Sequence, residues 1–150
     1  MKGPDGRKKT DKLNYTSAQV SATLINKAAN ASNEAYFGMD LLRSEGERLI
    51  NNVVDIKQGN FFEIIERTKF NVDAASKGMG ERAVTTAEMG LWKDPVDIKI
   101  KAGSKVLREV QAKSSREAMC ALFEMSNEKY EVMQNLFNSD KVDKARELVE

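Results

Sequence analysis

The hydrophobic pattern changes period once along the chain, and that change organises its reading. After a polar lead-in over residues 1–15, Thr16 or Ser17 can cap a helix carrying Val20, Leu24 and Ala28 at four-residue spacing. Asn30–Asn33 interrupts the pattern, and Ser32 can cap a second helix with Tyr36, Phe37, Leu41 and Leu42, reaching towards Val53–Val54. Gly59 and Asn60 open a third, FFEIIERTKFNVDAAS, in which Phe61, Ile64, Ile65, Thr68 and Val72 form one side and Glu63 and Glu66 lie on the flank. Gly78 and Gly80 stop it. Residues 81–95 show no clear period, and Pro95 excludes a helix there.

Beyond Pro95 the period becomes two. Val96, Ile98 and Ile100 alternate with Asp97, Lys99 and Lys101, as in a half-buried strand. Ala102-Gly103-Ser104 supplies a turn, and residues 105–113 read as the returning strand of a hairpin. On that strand Val106, Val110 and Ala112 take one face, and Leu107, Glu109, Gln111 and Lys113 the other. Ser114 and Ser115 can cap a helix through Met119, Leu122 and Phe123. The stretch KYEVMQNLF, 129–137, fits either more helix or a short edge strand. Ser139 can cap a last helix with Val142, Ala145 and Leu148. No internal repeat and no low-complexity segment is visible.

Composition narrows the function. The chain has 150 residues, 41% hydrophobic and 31% charged, which suits one globular domain. It divides into a polar N-terminus (1–15), an N-terminal helical region (16–58) and an α/β core (59–150). No apolar run approaches the roughly 20 residues of a bilayer span. The N-terminal MKGPDGRKKTDK has no apolar segment after it and does not read as a secretory signal. A cytoplasmic location without membrane association is expected. The single cysteine, Cys120, excludes an internal disulfide and reads as a buried structural thiol. Histidine is absent, which removes histidine-based nucleophilic triads and histidine-ligated zinc. Acid–base and metal chemistry falls to carboxylates, lysine or tyrosine.

Strand phase then singles out a constellation. With the hairpin paired around Gly103, Asp97 lies near residues 109–111, so a carboxylate, the Gln111 amide and the Lys113 ammonium converge. Mg²⁺ prefers hard oxygen ligands and keeps several waters. Asp97 offers a carboxylate, Gln111 a carbonyl, and the backbone of Val110 or Ala112 a further oxygen. Lys113 is placed to position a water or stabilise charge on a phosphate. Glu63 or Glu66 can complete the metal shell. The plain alternative is that these polar side chains are only the solvated face of a hairpin.

The segments GNFFEIIERTKFN, DPVDIKI and LREVQAKSS together resemble the PD-(D/E)XK nuclease superfamily, over about residues 59–137. The resemblance implies a restriction-endonuclease-like αβββαβ core with a small mixed sheet, whose first strand falls within 81–93. It implies metal-dependent cleavage of DNA or RNA with Mg²⁺ or Mn²⁺ as cofactor. The catalytic set would be Asp97, Gln111, Lys113 and Glu63, with Glu66 as the fallback helical acid. Glutamine stands where that superfamily usually has a carboxylate; Glu109, two residues earlier, is a candidate to compensate. The same stretches look like proteins of mobile elements and phage-like systems.

Three functions compete: a metal-dependent nuclease, a non-catalytic nucleic-acid-binding module on the same core, and a helical interaction protein whose N-terminal helices bind a partner or a second copy. Net charge is only +1, so nucleic-acid contact must come from a local patch. Lys99, Lys101, Lys105 and Arg108 are its candidates, extended by Arg67, Lys69 and Lys77; lysines guarding a strand edge explain them equally well. Trp92 and Phe70 are read as core residues in preference to base-stacking ones.

Overall fold

A computed structural model describes residues 17–114, 133–137 and 146–147. The polar lead-in lies outside the described residues. So do the expected helix through Met119, Leu122 and Phe123, Cys120 within it, and the expected last helix with Ser139, Val142, Ala145 and Leu148. The described elements are α1 (Ser17–Arg48), α2 (Val54–Ser76), β1 (Arg82–Thr85), β2 (Ile98–Ala102), β3 (Lys105–Lys113) and β4 (Gln134–Phe137).

The two expected N-terminal helices are one. α1 runs 32 residues through Asn30–Asn33 without a break. Asn and Ser cost only tenths of a kcal/mol each inside a helix, and the alanines around them offset this. The packed face also differs from the expected one. Val20 and Leu24 are exposed, whereas Ala31, Ala35, Gly38, Leu42, Gly46 and Leu49 lie partly or fully buried at three- and four-residue steps. Small residues on that stripe let α1 approach α2 closely. At Gly38 an added Cβ would run into the Thr68 side chain, whose hydroxyl is fixed by donating to the Ile64 carbonyl at 2.7 Å.

That contact yields a test of the helix pairing. Gly38→Val should destabilise by about 1–3 kcal/mol through overpacking, although valine has the better helix propensity. Thermal melts of Gly38→Val, Thr68→Ala and the double variant should show Thr68→Ala recovering part of the loss. Additive losses would contradict the close crossing.

α2 starts at Val54, not at Gly59 and Asn60, which lie inside its first two turns. Its buried positions are Ile64, Arg67, Asn71, Ala74 and Ala75, while Ile65 is exposed. The apolar side expected from Phe61, Ile64, Ile65, Thr68 and Val72 is therefore rotated. The helix meets α1 on one flank and the sheet on another, so two partial stripes replace a single one. Asn71, 1% exposed, clamps α2 to β1: its amide donates to the Ala83 carbonyl at 2.9 Å and accepts from the Ala83 N–H at 2.7 Å. Gly78 ends the helix region with φ of 72°.

The four strands form one mixed sheet in the order β1-β2-β3-β4. β1, β2 and β3 are antiparallel neighbours, and β4 lies parallel to β3. β1 falls within the stretch where a first strand was expected, and 134–137 is strand. Val96, Ile98 and Ile100 are buried as their alternation predicted; with Ala83, Val110 and Ala112, Ile98 and Ile100 form the sheet core, flanked by Phe62, Phe70 and Leu136. Gly103 turns the hairpin at φ of 59°. β3 departs from simple alternation. A register shift at Ile100/Lys101 leaves Leu107 without a cross-strand partner on β2, and Val106 and Leu107 are both exposed beyond it. Closer to its C-terminus Val110, Gln111 and Ala112 are all buried, so both faces are covered there and Gln111 is not on a solvated face.

No helix among the described residues is long and apolar enough to cross a membrane.

Candidate metal and phosphate site

Asp97 sits where β2 begins and is held by its backbone on both sides. Its N–H donates to the Val110 carbonyl at 3.1 Å, and its carbonyl accepts from the Thr86 N–H at 2.9 Å. Its side chain takes the place of a strand partner: Oδ2 accepts the Ala112 N–H at 2.9 Å. The Gln111 side chain also hydrogen-bonds the Asp97 carboxylate. The alternation that put Val96 and Ile98 in the core therefore turns Asp97 towards β3, as the hairpin register predicted.

Glu63, on the third turn of α2, is carried to the same place. Burial first, and the Asp97 carboxylate second, push its carboxyl up to about 8, while the Lys113 ammonium partly opposes both. Asp97 is raised by burial, opposed by the Ala112 N–H and by Lys113. Glu63, Asp97 and Lys113 thus lie within one electrostatic neighbourhood, and Gln111 is bonded into it. Two carboxyl groups share a poorly hydrated site, with the Asp97 charge opposing ionisation of Glu63, and a cation there would favour the ionised form of both.

Gln111 points the same way. It is 1% exposed, and its Oε1 has no hydrogen-bond partner among the described residues. A buried acceptor left without a partner costs about 1–3 kcal/mol. Among the described residues no three histidine, cysteine or carboxylate side chains gather closely enough to hold a metal on their own. The donor set on offer is two carboxylates and one amide oxygen; the Val110 carbonyl is taken up by the Asp97 N–H. That set fits Mg²⁺, which takes few protein ligands and keeps waters, better than a metal demanding a full protein cage.

Other expected residues separate from the cluster. Glu66 pairs with Lys69 at 2.7 Å and Lys77 with Asp73 at 2.6 Å, each along α2 and its end. Arg67 is not part of a basic surface. It is buried, 3.1 Å from Glu88 and 3.8 Å from Glu34, with its guanidinium over the Phe37 ring. Lys99 pairs with Asp94 at 3.0 Å, whereas Lys105 and Arg108 are exposed and Lys101 partly so at the hairpin tip. Glu109 is half-buried on β3. Phe70 packs against the core as expected, but Trp92 is 62% exposed.

A cleft of about 330 Å³ opens in front of the carboxylates, with Glu45, Arg48, Asn60, Glu63, Trp92 and Asp97 on its wall. Gln111 and Lys113 are not on that wall and reach the site from the sheet side. Sequence reading missed Glu45, which α1 brings into the electrostatic reach of Glu63. Its carboxyl is held low by Arg48, whose Nε and Nη2 donate to it at 2.9 and 2.6 Å, and Asn60 also donates to it at 2.9 Å. The only local signal was the three-residue spacing of Glu45 and Arg48, which any solvated helix can show.

Comparison with protein-family models, with curated proteins and with solved structures finds no match. The functional reading rests on the site itself.

Proposed function

We propose that this protein is a metal-dependent phosphodiesterase acting on DNA or RNA, built on a restriction-endonuclease-like core. The observation that carries the reading is the gathering of Glu63 from α2, Asp97 from the start of β2, and Gln111 and Lys113 from β3 around one poorly hydrated point. The element order supports the core assignment: a helix, three antiparallel strands, and a fourth strand parallel to the third. Parallel neighbours need a crossover of a dozen residues or more, and Lys113 and Gln134 are far enough apart in sequence for one.

In this reading Asp97 and the Gln111 Oε1 would hold Mg²⁺ or Mn²⁺, with Glu63 as a further ligand or as the group that orients the attacking water. The ion would lower the pKa of a bound water and offset charge on the phosphate. Lys113 holds its ammonium beside that phosphate, where a fixed cation in a site of low polarity stabilises developing negative charge more than water does. Gln111 keeps Asp97 oriented through its amide. Lys101, Lys105 and Arg108 offer sequence-independent phosphate contacts at the hairpin tip.

The reading is tested by incubating the purified chain with end-labelled single- and double-stranded DNA and RNA, in Mg²⁺, Mn²⁺ and chelator. Cleavage of at least one substrate, present with metal and absent with chelator, is the expected result. Metal-independent binding with no cleavage of any substrate would instead support a non-catalytic binding module, which the neutral Gln111 favours.

A further inference from the structure

The cleft in front of Asp97 and Glu63 has an aromatic rim. Trp92 is 62% exposed, yet it is not a loose side chain on a loose loop. Its turn is tied by hydrogen bonds from the Met89 and Leu91 N–H groups to the Thr86 carbonyl at 3.1 and 2.9 Å, and from the Asp94 N–H to the Leu91 carbonyl at 3.1 Å. Arg48 lies over the indole with its guanidinium carbon 4.8 Å from the ring centroid. That guanidinium is itself fixed by its two hydrogen bonds to Glu45. An indole thus stands on a hydrogen-bonded turn, backed by a cation and left largely open to solvent on the lining of the cleft.

The charge of the cleft says what fits it. Glu45, Glu88, Asp94 and Asp97 line its wall against one cation, Arg48, so a phosphate-rich backbone is disfavoured in its interior in the absence of a metal. An uncharged planar group meets no such penalty. The volume, about 330 Å³, lies at the small end of ligand-site sizes and admits one base with its sugar, not a duplex.

We infer that the Arg48–Trp92 pair is a stacking platform for one unpaired nucleobase, and that the chain therefore prefers single-stranded or locally opened nucleic acid. This rests on the phosphodiesterase reading, whose substrate class it specifies. The base stacks on the indole and enters the cleft, and the adjoining phosphate is brought towards Asp97. Base–aromatic stacking tolerates any sequence, because every base has a π face. The preference is accordingly for unpaired over paired strands, not for one base over another.

Trp92 is the sole tryptophan of the chain, so its fluorescence reports the platform directly. The experiment titrates the full chain, with Ca²⁺ in place of Mg²⁺, against three probes: a mixed-sequence single-stranded DNA dodecamer, its blunt duplex, and a dodecamer of equal charge carrying central abasic sites. The single strand should quench Trp92 emission and bind roughly tenfold tighter than the abasic strand and the duplex. By anisotropy of a labelled strand, Trp92→Ala should lose roughly tenfold in affinity, while Trp92→Phe, which keeps an aromatic face, stays near wild type. Equal affinity for normal and abasic strands, absence of quenching by any probe, or unchanged binding by Trp92→Ala would each overturn the inference. The abasic comparison needs no variant, so a misfolded variant does not spoil the test. Cleavage without quenching would leave the phosphodiesterase reading standing and sink this one. Quenching without cleavage in Mg²⁺ would do the reverse.

Discussion

Replacing Lys113 by alanine is expected to lower the cleavage rate at least about 100-fold while leaving the melting temperature close to wild type, because loss of one fixed transition-state donor typically has an effect of that size. Lys113 ends β3 half-buried, next to the buried run Val110–Ala112, and its ammonium acts on both Glu63 and Asp97. Its stem can be shortened without opening the sheet core, which is made by Ala83, Ile98, Ile100, Val110 and Ala112. Lys113→Arg keeps the charge but changes its shape and reach, and should recover only part of the rate. The measurement is single-turnover cleavage in saturating Mg²⁺, with circular dichroism melts alongside. A Lys113→Ala enzyme as fast as wild type would remove Lys113 from the mechanism. A variant that is slow only because it is unfolded would show in the melts.

The second large effect concerns Glu63 and pH. Its carboxyl is raised from an ordinary 4.5 to about 8, chiefly by burial and then by Asp97. The folded state therefore holds this proton more tightly than the unfolded chain does. Below pH 4.5 the group is neutral in both states and the stabilisation is fully present. As pH rises through 4.5 the unfolded chain ionises first, so stability falls, and the fall levels off once the pH passes about 8. Each pH unit between those two values is worth about 1.4 kcal/mol, so the loss across the window is on the order of 4–5 kcal/mol for the metal-free protein. Glu63→Gln, which has the same shape and no charge, should erase that slope. Urea unfolding in chelator from about pH 5 to about pH 8.5 measures it, a range that brackets most of the window. The variant should gain on wild type steadily with pH, and Mg²⁺ at the alkaline end should restore wild type more than the variant. Parallel stability curves for the two proteins would show that Glu63 is not desolvated.

The parts of the fold legible in the sequence were those set by local alternation and turn chemistry. Val96, Ile98 and Ile100 named their own faces, and Gly103 named the hairpin turn, which together aim Asp97 at β3. The α1 face was not legible in that way. It is lined by Ala31, Ala35, Gly38 and Gly46, small residues that hydrophobic periodicity underweights, because what they offer is close approach and not apolar area. α2 misled for a related reason. Two packing partners divide its circumference, and the polar Arg67 and Asn71 are buried because Glu88, Glu34 and the Ala83 backbone meet them.

The candidate site divides similarly. The closeness of Asp97, Gln111 and Lys113 follows from strand phase, whereas the choice of Glu63 over Glu66 as their helical neighbour waited on how α2 packs. The burial of Gln111 was not legible either, because alternation implies a hairpin with one wet face, whereas Val110, Gln111 and Ala112 are all covered where β4 pairs with β3. Glu45 and the Arg48–Trp92 rim depend on where α1 ends relative to the β1–β2 connection, a long-range relation with no local spacing to betray it.

That Asp97 and Gln111, with Glu63, form a site for one hard divalent cation is tested most directly by electron spin resonance of Mn²⁺ titrated into the chain at about pH 8.5, where Glu63 is ionised. Bound Mn²⁺ loses the sharp spectrum of the free ion whatever the nucleic-acid substrate is. The predicted result is saturable binding of about one Mn²⁺ per chain, competed by Mg²⁺, lost in Asp97→Ala and weakened severalfold in Gln111→Leu. Absence of saturable binding, or binding that neither substitution alters, would contradict it.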